Sequence, residues 1–545
     1  MSGKSIVQTQ VMWDRLIALV EDQASTLMRT AFSPIVRESG DLSAGIFDTQ
    51  GRMLAQARTG TPGHINTMAA SVGQFLEVFP TQTIRPGDVF VTNDPWAGAG
   101  HLNDFVVVTP AFFDGKLVAL FACTGHMTDV GGIGLSPEAA DLFAEGTRIP
   151  ISKLADQGKL NETLIEIAKA NSRLPFELEG DIYALMASND VGVQRLADLL
   201  SEVEQSNIVA LADHIVESSR RAVEAKLAAL PNTNVSYRMM VDGFEEPIEL
   251  VAELSVAGSR VRVDWTGSSA ACKRGINVPL GYAAAYTSYA LACAIAPDVP
   301  NNHGTLSVFE VTAPAGSILD ARFPQPVSCR HIVGGLLPDV VLGCIDQIIP
   351  GIVPAESASA LWTLTFRGGS TAEPFAISIV TNGGTGARPT LDGLSATSFP
   401  SAVRGTPVEM VEASTPLIFW RRELRPDSGG TGRHRGGLGQ EMEIGTLDGN
   451  PFTIVAAFDR IKNPARGRSS GGKGAPGELH VSDGTILSGK GAHVIDPDNR
   501  LRVRTPGGGG YGPPEERHAE ERSSDLSAGY VTTGEIDKEG AKSNR

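Results

Sequence analysis

Residues 100–129 read GHLNDFVVVTPAFFDGKLVALFACTGHMTD. Two apolar runs in this stretch flank the dipeptide Asp114-Gly115, which is a strong short-range signal for a two-residue hairpin turn. Such a turn pairs Phe113 with Lys116 and makes the two runs neighbouring antiparallel strands. The stretch therefore predicts a β-hairpin whose open end brings its first and last residues together.

The register of this hairpin determines which polar residues meet. Counting away from the turn places Asp104 opposite Gly125 and Asn103 opposite His126. Pro110 cannot donate a ladder hydrogen bond and makes a bulge plausible, and a bulge would shift the register by one residue. In either register the polar ends of the two strands converge.

These ends carry the same local pattern, Gly-His-x-x-Asp, at residues 100–104 and again at 125–129. Imidazole and carboxylate groups are suitable ligands for Zn, Mn, Fe or Ni, and a neighbouring glycine lets the backbone approach the metal closely. The convergence of His101, Asp104 and His126 therefore predicts a metal site. The alternative is that both histidines only cap strand ends through backbone hydrogen bonds.

Further ligands are available near this hairpin. An acidic turn at residues 37–41 directly precedes the apolar run 42–47, which predicts a third strand, and Asp41 or Glu38 from this turn could complete the coordination. His64 also follows a glycine. Because such a histidine more often lies in a turn or in the core, we expect that position, with contact to the site as the alternative.

Length and composition indicate a globular protein of several packed units. The chain has 545 residues, more than one hydrophobic core normally serves. Its 41% hydrophobic and 20% charged residues argue against a disordered or fibrous protein. The 61 glycines favour a turn-rich body. The net charge of -16, without a local basic stripe, argues against nucleic-acid binding.

Cysteine usage and hydropathy bear on the compartment. The five cysteines are odd in number and contain no Cys-x-x-Cys pair, which argues against a disulfide framework and a thiolate zinc site. Residues 1–10 lack the regions of an export signal, and the apolar stretch 282–296 is too short to span a bilayer. We expect a cytoplasmic protein.

The predicted fold class is α+β, a mixed, strand-rich and glycine-rich multi-domain body with an N-terminal helix. Helical spacing of apolar residues predicts that helix over residues 8–31 and a helical segment near 160–230. A Pro-Asn-Thr sequence at 231–233 marks a boundary. We expect a metal-bearing domain at 1–230, a second α+β domain at 231–512, and a flexible or loosely docked tail at 513–545.

Strands and one further helix are predicted from short apolar runs that are bounded by turn residues. The strands are expected at 44–47, 89–92, 105–113, 117–123, 235–241, 248–256 and 260–265, and the helix at 282–295.

Two glycine motifs resemble nucleotide-binding loops without meeting their requirements. Residues 467–473 match the first part of a phosphate-binding loop, but Gly474 occupies the position where Ser or Thr must bind magnesium, so we expect a turn. Gly507, Gly509 and Gly512 fit Gly-x-Gly-x-x-Gly, yet two prolines follow and block the helix whose N-terminus would hold a pyrophosphate.

Nucleophile motifs are equally weak. The sequence contains no Gly-x-Ser-x-Gly elbow, so a serine hydrolase is unsupported. In the cluster Cys329-Arg330-His331, the cysteine and the histidine would share one face if the segment is a strand. Since nothing else supports a nucleophile–base pair, we consider Arg330 and His331 as candidates for substrate contact or a structural role.

Taken together, these motifs resemble the B subunit of the hydantoinase/oxoprolinase family over most of residues 8–512. The matching segments are 37–45, 63–65, 92–95, 100–104, 125–126, 129–132, 145–150, Asn277, 301–304, 382–384, 427–430, 435–437 and 507–512.

The resemblance implies a divalent metal ion, Zn, Mn or Fe, held by Asp41, His101, Asp104 and His126. It also implies a partner A-type subunit with an actin-like ATPase fold that binds ATP with Mg, in a hetero-oligomer such as α2β2. ATP on the partner would activate a cyclic amide such as a hydantoin, 5-oxoproline or a lactam, and a metal-bound water would then attack the ring carbonyl. Asp129 is a candidate for moving protons.

Two alternatives stay open. Acetone and acetophenone carboxylases are similar to this family and use the same metal hairpin to join a ketone with activated bicarbonate, so a carboxylase subunit is the other enzymatic interpretation. A noncatalytic scaffold subunit with structural histidines is the second alternative.

Overall fold

The structure is a computed structural model that describes residues 6–58, 60–359 and 361–533. Helices and strands both contribute several elements along the chain, and the strands form separate sheets, which confirms the α+β class. The helices are α1 Ile6–Thr30, α2 Pro34–Arg37, α3 Pro62–Val78, α4 Leu142–Glu145, α5 Glu162–Asn171, α6 Pro175–Glu202, α7 Val209–Ala228, α8 Leu280–Ile295, α9 His303–Leu306, α10 His331–Gly334, α11 Leu337–Ile348, α12 Val408–Ser414 and α13 Ala519–Ser527, with 3-10 turns at Thr81–Thr83 and Pro514–Glu516.

The strands follow the predicted apolar runs and add further ones in the second half of the chain. They are β1 Leu42–Phe47, β2 Met53–Gln56, β3 Val89–Thr92, β4 Asp104–Phe113, β5 Lys116–His126, β6 Ser152–Asp156, β7 Lys159–Leu160, β8 Thr233–Val241, β9 Ile248–Ala257, β10 Arg260–Asp264, β11 Phe309–Thr312, β12 Leu361–Gly369, β13 Pro374–Asn382, β14 Leu417–Leu424, β15 Gln440–Thr446, β16 Phe452–Ala457, β17 Glu478–Val481, β18 Lys490–Ile495 and β19 Leu501–Arg504.

The chain divides into two compact units that differ from the predicted domains. Unit 1 comprises residues 1–135, 139–236 and 252–330, and unit 2 comprises residues 136–138, 237–251 and 331–545. The break expected at 231–233 exists locally, since α7 ends and β8 begins there. Residues 252–330 nevertheless group with unit 1, because their helix α8 packs against α3. A local composition signal therefore marks the end of a helix here rather than the edge of a unit.

Unit 1 is built on a seven-stranded sheet in the order β2-β1-β5-β4-β3-β6-β7. Alternate side chains of β5 face opposite sides of this sheet, as the period of a strand requires. Phe121 packs with the apolar faces of α1 and α6, whereas Leu120 and Ala122 pack with α3. The sheet is therefore covered by helices on both faces, and its strand ends form an edge where polar residues can gather.

The predicted hairpin is present, with a register one residue away from that counted from its turn. Asp114 and Gly115 both have positive φ, 48° and 74°, as the tight turn requires. The register shifts between Ala111 and Phe112, so that Asp104 pairs with His126 rather than with Gly125. A bulge, the alternative raised by Pro110, lies beside that proline and accounts for the shift.

The helical predictions for unit 1 are confirmed. The N-terminal helix is α1, the segment near 160–230 forms α5, α6 and α7, and the apolar run at 282–295 forms α8.

A four-stranded sheet has the order β11-β10-β9-β8, and the unit boundaries at 236/237 and 251/252 fall within β8 and β9.

Unit 2 contains two four-stranded sheets, in the orders β13-β12-β16-β18 and β14-β15-β19-β17. Their apolar side chains, among them Trp362, Phe366 and Phe452, share one buried core.

Residues 331–348 are the one candidate membrane span among the described residues by length and composition, yet 72% of that window is buried, as is common for core helices of soluble proteins.

Extended glycine-rich segments of unit 2 pack backbone against backbone. In the central segment, 507–511, the N–H groups of Gly508, Gly509 and Gly510 donate to three different neighbouring segments. A Cβ on any of these glycines would overlap a neighbouring backbone carbonyl, so the packing requires glycine. The other motif, 467–473, contains the predicted turn. Both glycine motifs are therefore packing elements.

Much of the predicted tail, residues 513–545, is docked within unit 2. Arg517 forms ion pairs with Asp392 and Asp525 at 2.8 Å and 2.7 Å, and α13 follows it. Residues 534–545 of the predicted tail lie outside the described residues.

Candidate metal centre

The residues predicted to bind a metal come together at one edge of the unit 1 sheet. Asp104 is the first residue of β4 and His126 the last of β5, and the two are directly paired. Asp41 immediately precedes β1, the other neighbour of β5, and its carbonyl accepts the His126 N–H at 3.3 Å. His101 lies in the loop that leads into β4. Strand pairing thus gathers the predicted ligands from separate segments of the chain.

The side chains of these residues are buried and close to one another. His101, Asp104 and His126 each offer one ligand atom, and these atoms lie within 4.8 Å of one another. Asp104 Oδ1 lies 2.7 Å from His101 Nε2 and 3.0 Å from His126 Nδ1. Asp41 Oδ2 lies 3.8 Å from the same nitrogen of His126. The geometry therefore brings together all four residues selected from the sequence.

His64 belongs to the same cluster, although the sequence favoured a turn or core position. It lies in the first turn of α3, and Thr61 caps that helix by accepting the His64 N–H. Its Nε2 lies 2.8 Å from Asp104 Oδ2, and its Nδ1 lies 3.5 Å from Asp41 Oδ1. Burial opposes the charged form, but the Asp104 and Asp41 carboxylates raise the pKa of His64. We call Asp41, His64, His101, Asp104 and His126 the His–Asp cluster.

The glycine before His64 was the available sequence signal for this position. A Cβ on Gly63 would lie only 2.6 Å from a ring carbon of Tyr282 in α8. Glycine therefore lets the first turn of α3 approach α8 closely, and this approach sets where His64 lies.

A backbone contact favours one tautomer of His101. Its Nδ1 lies 2.8 Å from the Ser328 carbonyl oxygen, which can only accept a hydrogen bond, and this contact favours the form with the proton on Nδ1 and a lone pair on Nε2. Burial, and then the charge of Arg330, lower the pKa of His101 to about 3. The imidazole is therefore neutral, which is the form that binds metals.

Asp104 is ionised although it is fully buried. Burial alone would raise the pKa of its carboxyl, but His101, His64 and Arg330 hold that pKa well below its usual range. The cluster therefore contains an ionised carboxylate at its centre.

Arg330 reaches the cluster from a distant part of the sequence, 226 residues after Asp104. Its guanidinium contacts Asp104 Oδ2, donates from Nε to the Ala99 carbonyl at 2.8 Å, and lies over the Tyr282 ring at 4.1 Å from the centroid. Arg330 thus lies beside the predicted ligands. The segment around it is a turn that leads into α10, so the strand on which Cys329 and His331 would share one face is not formed.

Two weaker candidates have other partners. The Asp129 carboxylate pairs with the Arg173 guanidinium and accepts the Arg173 N–H and the Ser172 hydroxyl, so it anchors the loop after β5. Glu38 forms an ion pair with its neighbour Arg37 at 2.9 Å. These contacts favour structural roles for both acidic residues.

The donor set fits a divalent cation. In the part of the chain that the structure describes, His126 Nε2 has no hydrogen-bond partner, and His101 Nε2 and His64 Nδ1 face carboxylate oxygens at 2.7 Å and 3.5 Å without a well-aligned hydrogen bond. Buried polar atoms are normally hydrogen-bonded, so three such nitrogens beside two carboxylates need an explanation. A cation that accepts nitrogen lone pairs provides one, and a set of histidines and carboxylates suits Zn, Mn or Fe.

Two curated relatives align with nearly the whole chain. The 5-oxoprolinase 1 of Arabidopsis thaliana is 28% identical over 548 residues, which cover 93% of this chain and 42% of the oxoprolinase. The caprolactamase subunit beta of Pseudomonas jessenii is 27% identical, and the alignment covers 93% of this chain and 90% of that subunit.

Solved structures share the fold. The ATP-dependent caprolactamase from Pseudomonas jessenii superposes with a TM-score of 0.88 at 25% identity, covering 97% of this chain and 95% of that one. Acetone carboxylase, in a nucleotide-free structure, superposes with a TM-score of 0.84 at 20% identity, covering 97% and 78%. The sequence model of the Hydantoinase B/oxoprolinase family matches residues 5–514, and the chain belongs to this family.

Proposed function

We propose that this chain is the metal-binding subunit of an ATP-dependent enzyme that hydrolyses a cyclic amide of the hydantoin, 5-oxoproline or lactam type. The observation that carries this proposal is the buried convergence of Asp41, His101, Asp104 and His126 at one sheet edge, in a member of the Hydantoinase B/oxoprolinase family.

The chemistry of a ring amide explains why such a site is needed. Resonance makes the amide carbon a poor electrophile, so ring opening needs both activation of the carbonyl and a strong nucleophile. When bound at these residues, a divalent cation makes water acidic enough to react near neutral pH and stabilises negative charge on oxygen. Phosphorylation by ATP would provide the activation.

The residues of this chain have distinct parts in the proposal. Asp41, His101, Asp104 and His126 hold the metal, and the Ser328 carbonyl keeps His101 in the required tautomer. Arg330 supplies a buried positive charge beside Asp104, where it can bind the substrate carbonyl and balance developing negative charge. Arg330 is therefore the substrate-contact candidate that we retain from the sequence.

ATP and its Mg ion are assigned to a partner. The glycine motifs of this chain are packing segments, and the oxoprolinase relative is much longer than the region it shares with this chain. The caprolactamase relative is named as a subunit beta, and the caprolactamase of the same organism is named as ATP-dependent. We infer a separate A-type ATPase subunit, in a cytoplasmic hetero-oligomer such as α2β2.

A carboxylase subunit is the second candidate. Acetone carboxylase shares the fold with a TM-score of 0.84. In that case the same metal site would serve the joining of a ketone with activated bicarbonate.

Co-expression of this chain with an A-type ATPase subunit tests the proposal. The purified complex is assayed for ADP release and product with hydantoin, 5-oxoproline and caprolactam, and separately with acetone plus bicarbonate. We expect ADP release coupled to ring opening with at least one ring substrate, and loss of it in His101→Ala. Coupled turnover only with ketone and bicarbonate would replace the hydrolase by the carboxylase, and full ring-opening activity of His101→Ala would overturn the metal role.

A further inference from the structure

Glu145 is a buried acid that the proposed metal ligands leave unexplained. It is the last residue of α4 and is only 2% exposed. Burial raises the pKa of its carboxyl to about 8, against the opposing effect of two backbone N–H groups. Burying a carboxyl group costs free energy unless its oxygens are hydrogen-bonded.

One oxygen of Glu145 holds a turn. Its Oε1 accepts the Val327 N–H at 2.5 Å and the Ser328 N–H at 2.8 Å. The Arg330 N–H donates to the Val327 carbonyl at 3.0 Å, which closes a four-residue turn over residues 327–330. Glu145 therefore fixes the first two residues of this turn.

The same turn contacts the His–Asp cluster at two points. The Ser328 carbonyl faces His101 Nδ1 at 2.8 Å, and the Arg330 guanidinium contacts Asp104. A displacement of the turn would release the proton on His101 Nδ1 from its acceptor and would also move the cation beside Asp104. Both changes act on predicted metal ligands.

The position of Glu145 in the chain adds a second link. The segment that begins after His126 runs on to α4, and the Thr147 N–H, just beyond Glu145, donates to the Val130 carbonyl at 2.9 Å. Glu145 thus connects the segment that follows one histidine ligand to the turn that supports the other.

We propose that Glu145 is a positioning residue of the metal site, which holds the turn 327–330 so that His101 presents Nε2 and Arg330 stays against Asp104. This inference rests on the proposed metal-binding function. Glu145 acts through acceptor oxygens rather than through its charge, because its partners are the backbone N–H groups of Val327 and Ser328 and the Ser328 side chain. Glutamine keeps one acceptor oxygen, alanine removes both, and aspartate is one methylene too short.

Zinc affinity is the first measurement. Purified wild-type chain and the variants Glu145→Ala, Glu145→Asp and Glu145→Gln are titrated with Zn²⁺ against a chromophoric chelator. Alanine and aspartate should weaken binding by about 10–100-fold, which is typical for residues that orient metal ligands, whereas glutamine should stay within about 3-fold of wild type. The exposed Glu166→Ala is the matched control. Equal affinity of all four Glu145 forms, or equal loss in glutamine and alanine, overturns the inference.

A double-mutant cycle separates positioning from general loss of structure. In a His101→Ala background, Glu145→Asp should weaken Zn²⁺ binding by less than it does in the wild-type chain, because part of its effect acts through the contact of the turn with His101. An undiminished effect in that background would show that Glu145 does not act through His101 and would overturn the inference.

The His101 tautomer gives a readout without metal. In the metal-free chain with ¹⁵N-labelled histidine, assigned with His101→Ala, we expect a protonated Nδ1 in wild type and Glu145→Gln, and a tautomer mixture in Glu145→Asp. An unchanged His101 signal in Glu145→Asp overturns the inference. A wild-type chain that binds no Zn²⁺ or Mn²⁺ overturns the proposed function instead, while this spectrum still decides the role of Glu145.

Discussion

The His–Asp cluster of unit 1 and a second buried charge cluster in unit 2 both contain buried carboxylates, but the two clusters stabilise these charges differently. We call Asp339, Glu356, Arg460 and Arg466 the ion-pair cluster. Arg460 lies 3.1 Å from both Asp339 and Glu356, and Arg466 donates from Nε to Glu356 at 2.6 Å. Each carboxylate of this cluster therefore faces a guanidinium of the same unit.

In the His–Asp cluster, two carboxylates are accompanied by one guanidinium. Asp41 and Asp104 lie among three histidines, with Arg330 as the permanently charged partner beside Asp104. In the ion-pair cluster each acid has a guanidinium partner, although Asp339 Oδ1 and Arg460 Nε, like His126 Nε2, have no hydrogen-bond partner among the described residues. Comparing the two teaches that burial, charge and unpartnered atoms do not by themselves indicate a metal site. Two carboxylates beside three imidazoles and a single guanidinium do, because imidazole and carboxylate are metal ligands.

The largest expected effect comes from removing the central carboxylate of the His–Asp cluster. In the complex with the A-type subunit, Asp104→Ala should lower ATP-coupled ring opening by at least ~100-fold, beyond the ~10–100-fold usual for residues behind the ligands. Product formation and bound metal are measured on the same sample, with circular dichroism as the folding control. Wild-type turnover in this variant would contradict the proposed metal-binding role that distinguishes the His–Asp cluster from the ion-pair cluster.

The matching change in unit 2 should affect stability rather than metal binding. Arg460→Ala leaves Asp339 and Glu356 buried without that partner, and breaking a buried ion pair in this way typically costs about 3–5 kcal/mol. Urea unfolding, detected through hydrogen exchange of peptides from unit 2, measures this loss of unfolding free energy. Zn²⁺ affinity of the folded variant should equal that of wild type, and a loss of both properties together would contradict the separation of roles.

A pH dependence should distinguish the ion-pair cluster further. Burial, with the charge of Glu356 and against that of Arg460, raises the pKa of Asp339 to about 7, from about 3.9 when unfolded. Between these values folded unit 2 binds a proton that the unfolded chain has released, so the contribution of Asp339 to stability falls as pH rises from about 4 to about 7.

The substitution Asp339→Asn removes this titration. The free energy of unfolding is measured by urea titration between pH 4 and pH 8. Its slope against pH should be smaller in this variant than in wild type, by up to about 1 kcal/mol per pH unit. Burial opposes the charged form of Glu356, but Arg460 and Arg466 lower its pKa, so Glu356 contributes in the opposite direction at acidic pH and is still present in this variant. An Asp339→Asn profile that is parallel to wild type would show that Asp339 is ionised throughout.

The smallest effect is expected for an exposed ion pair. Glu166→Ala removes the 2.8 Å contact of Glu166 with Lys169 on the surface of α5. Exposed pairs contribute about 0–1 kcal/mol, so the urea midpoint, Zn²⁺ affinity and turnover should stay close to wild type. A loss as large as that of Arg460→Ala would contradict the weight given to burial in this comparison.

Local sequence signals were sufficient for the hairpin and for the convergence of His101, Asp104 and His126. Asp114-Gly115 determined the turn, and the repeated Gly-His-x-x-Asp pattern selected residues that pairing in the sheet does bring together. The register was wrong by one residue, because a count from the turn does not show where a bulge inserts its extra residue. His101, Asp104 and His126 converge in either register.

Long-range packing accounts for what the sequence did not predict. His64 reaches the cluster because Gly63 lets α3 approach α8, and Arg330 reaches it from a turn whose position Glu145 fixes. The glycine before His64 and the cluster around Arg330 mark these residues locally, but neither pattern shows which distant segment they contact. The unit division differed for a related reason, since residues 252–330 rejoin unit 1 through packing of α8 rather than through any signal near 231.

Metal stoichiometry tests the central claim most directly. The purified chain is loaded with Zn²⁺ or Mn²⁺, freed of excess ion and analysed for bound metal per chain, beside His126→Ala and the control Glu166→Ala. We predict one tightly bound ion in wild type and in Glu166→Ala, and none retained in His126→Ala. Retention of one ion by His126→Ala, or no ion in a correctly folded wild-type chain, would contradict the assignment of the His–Asp cluster as a metal site.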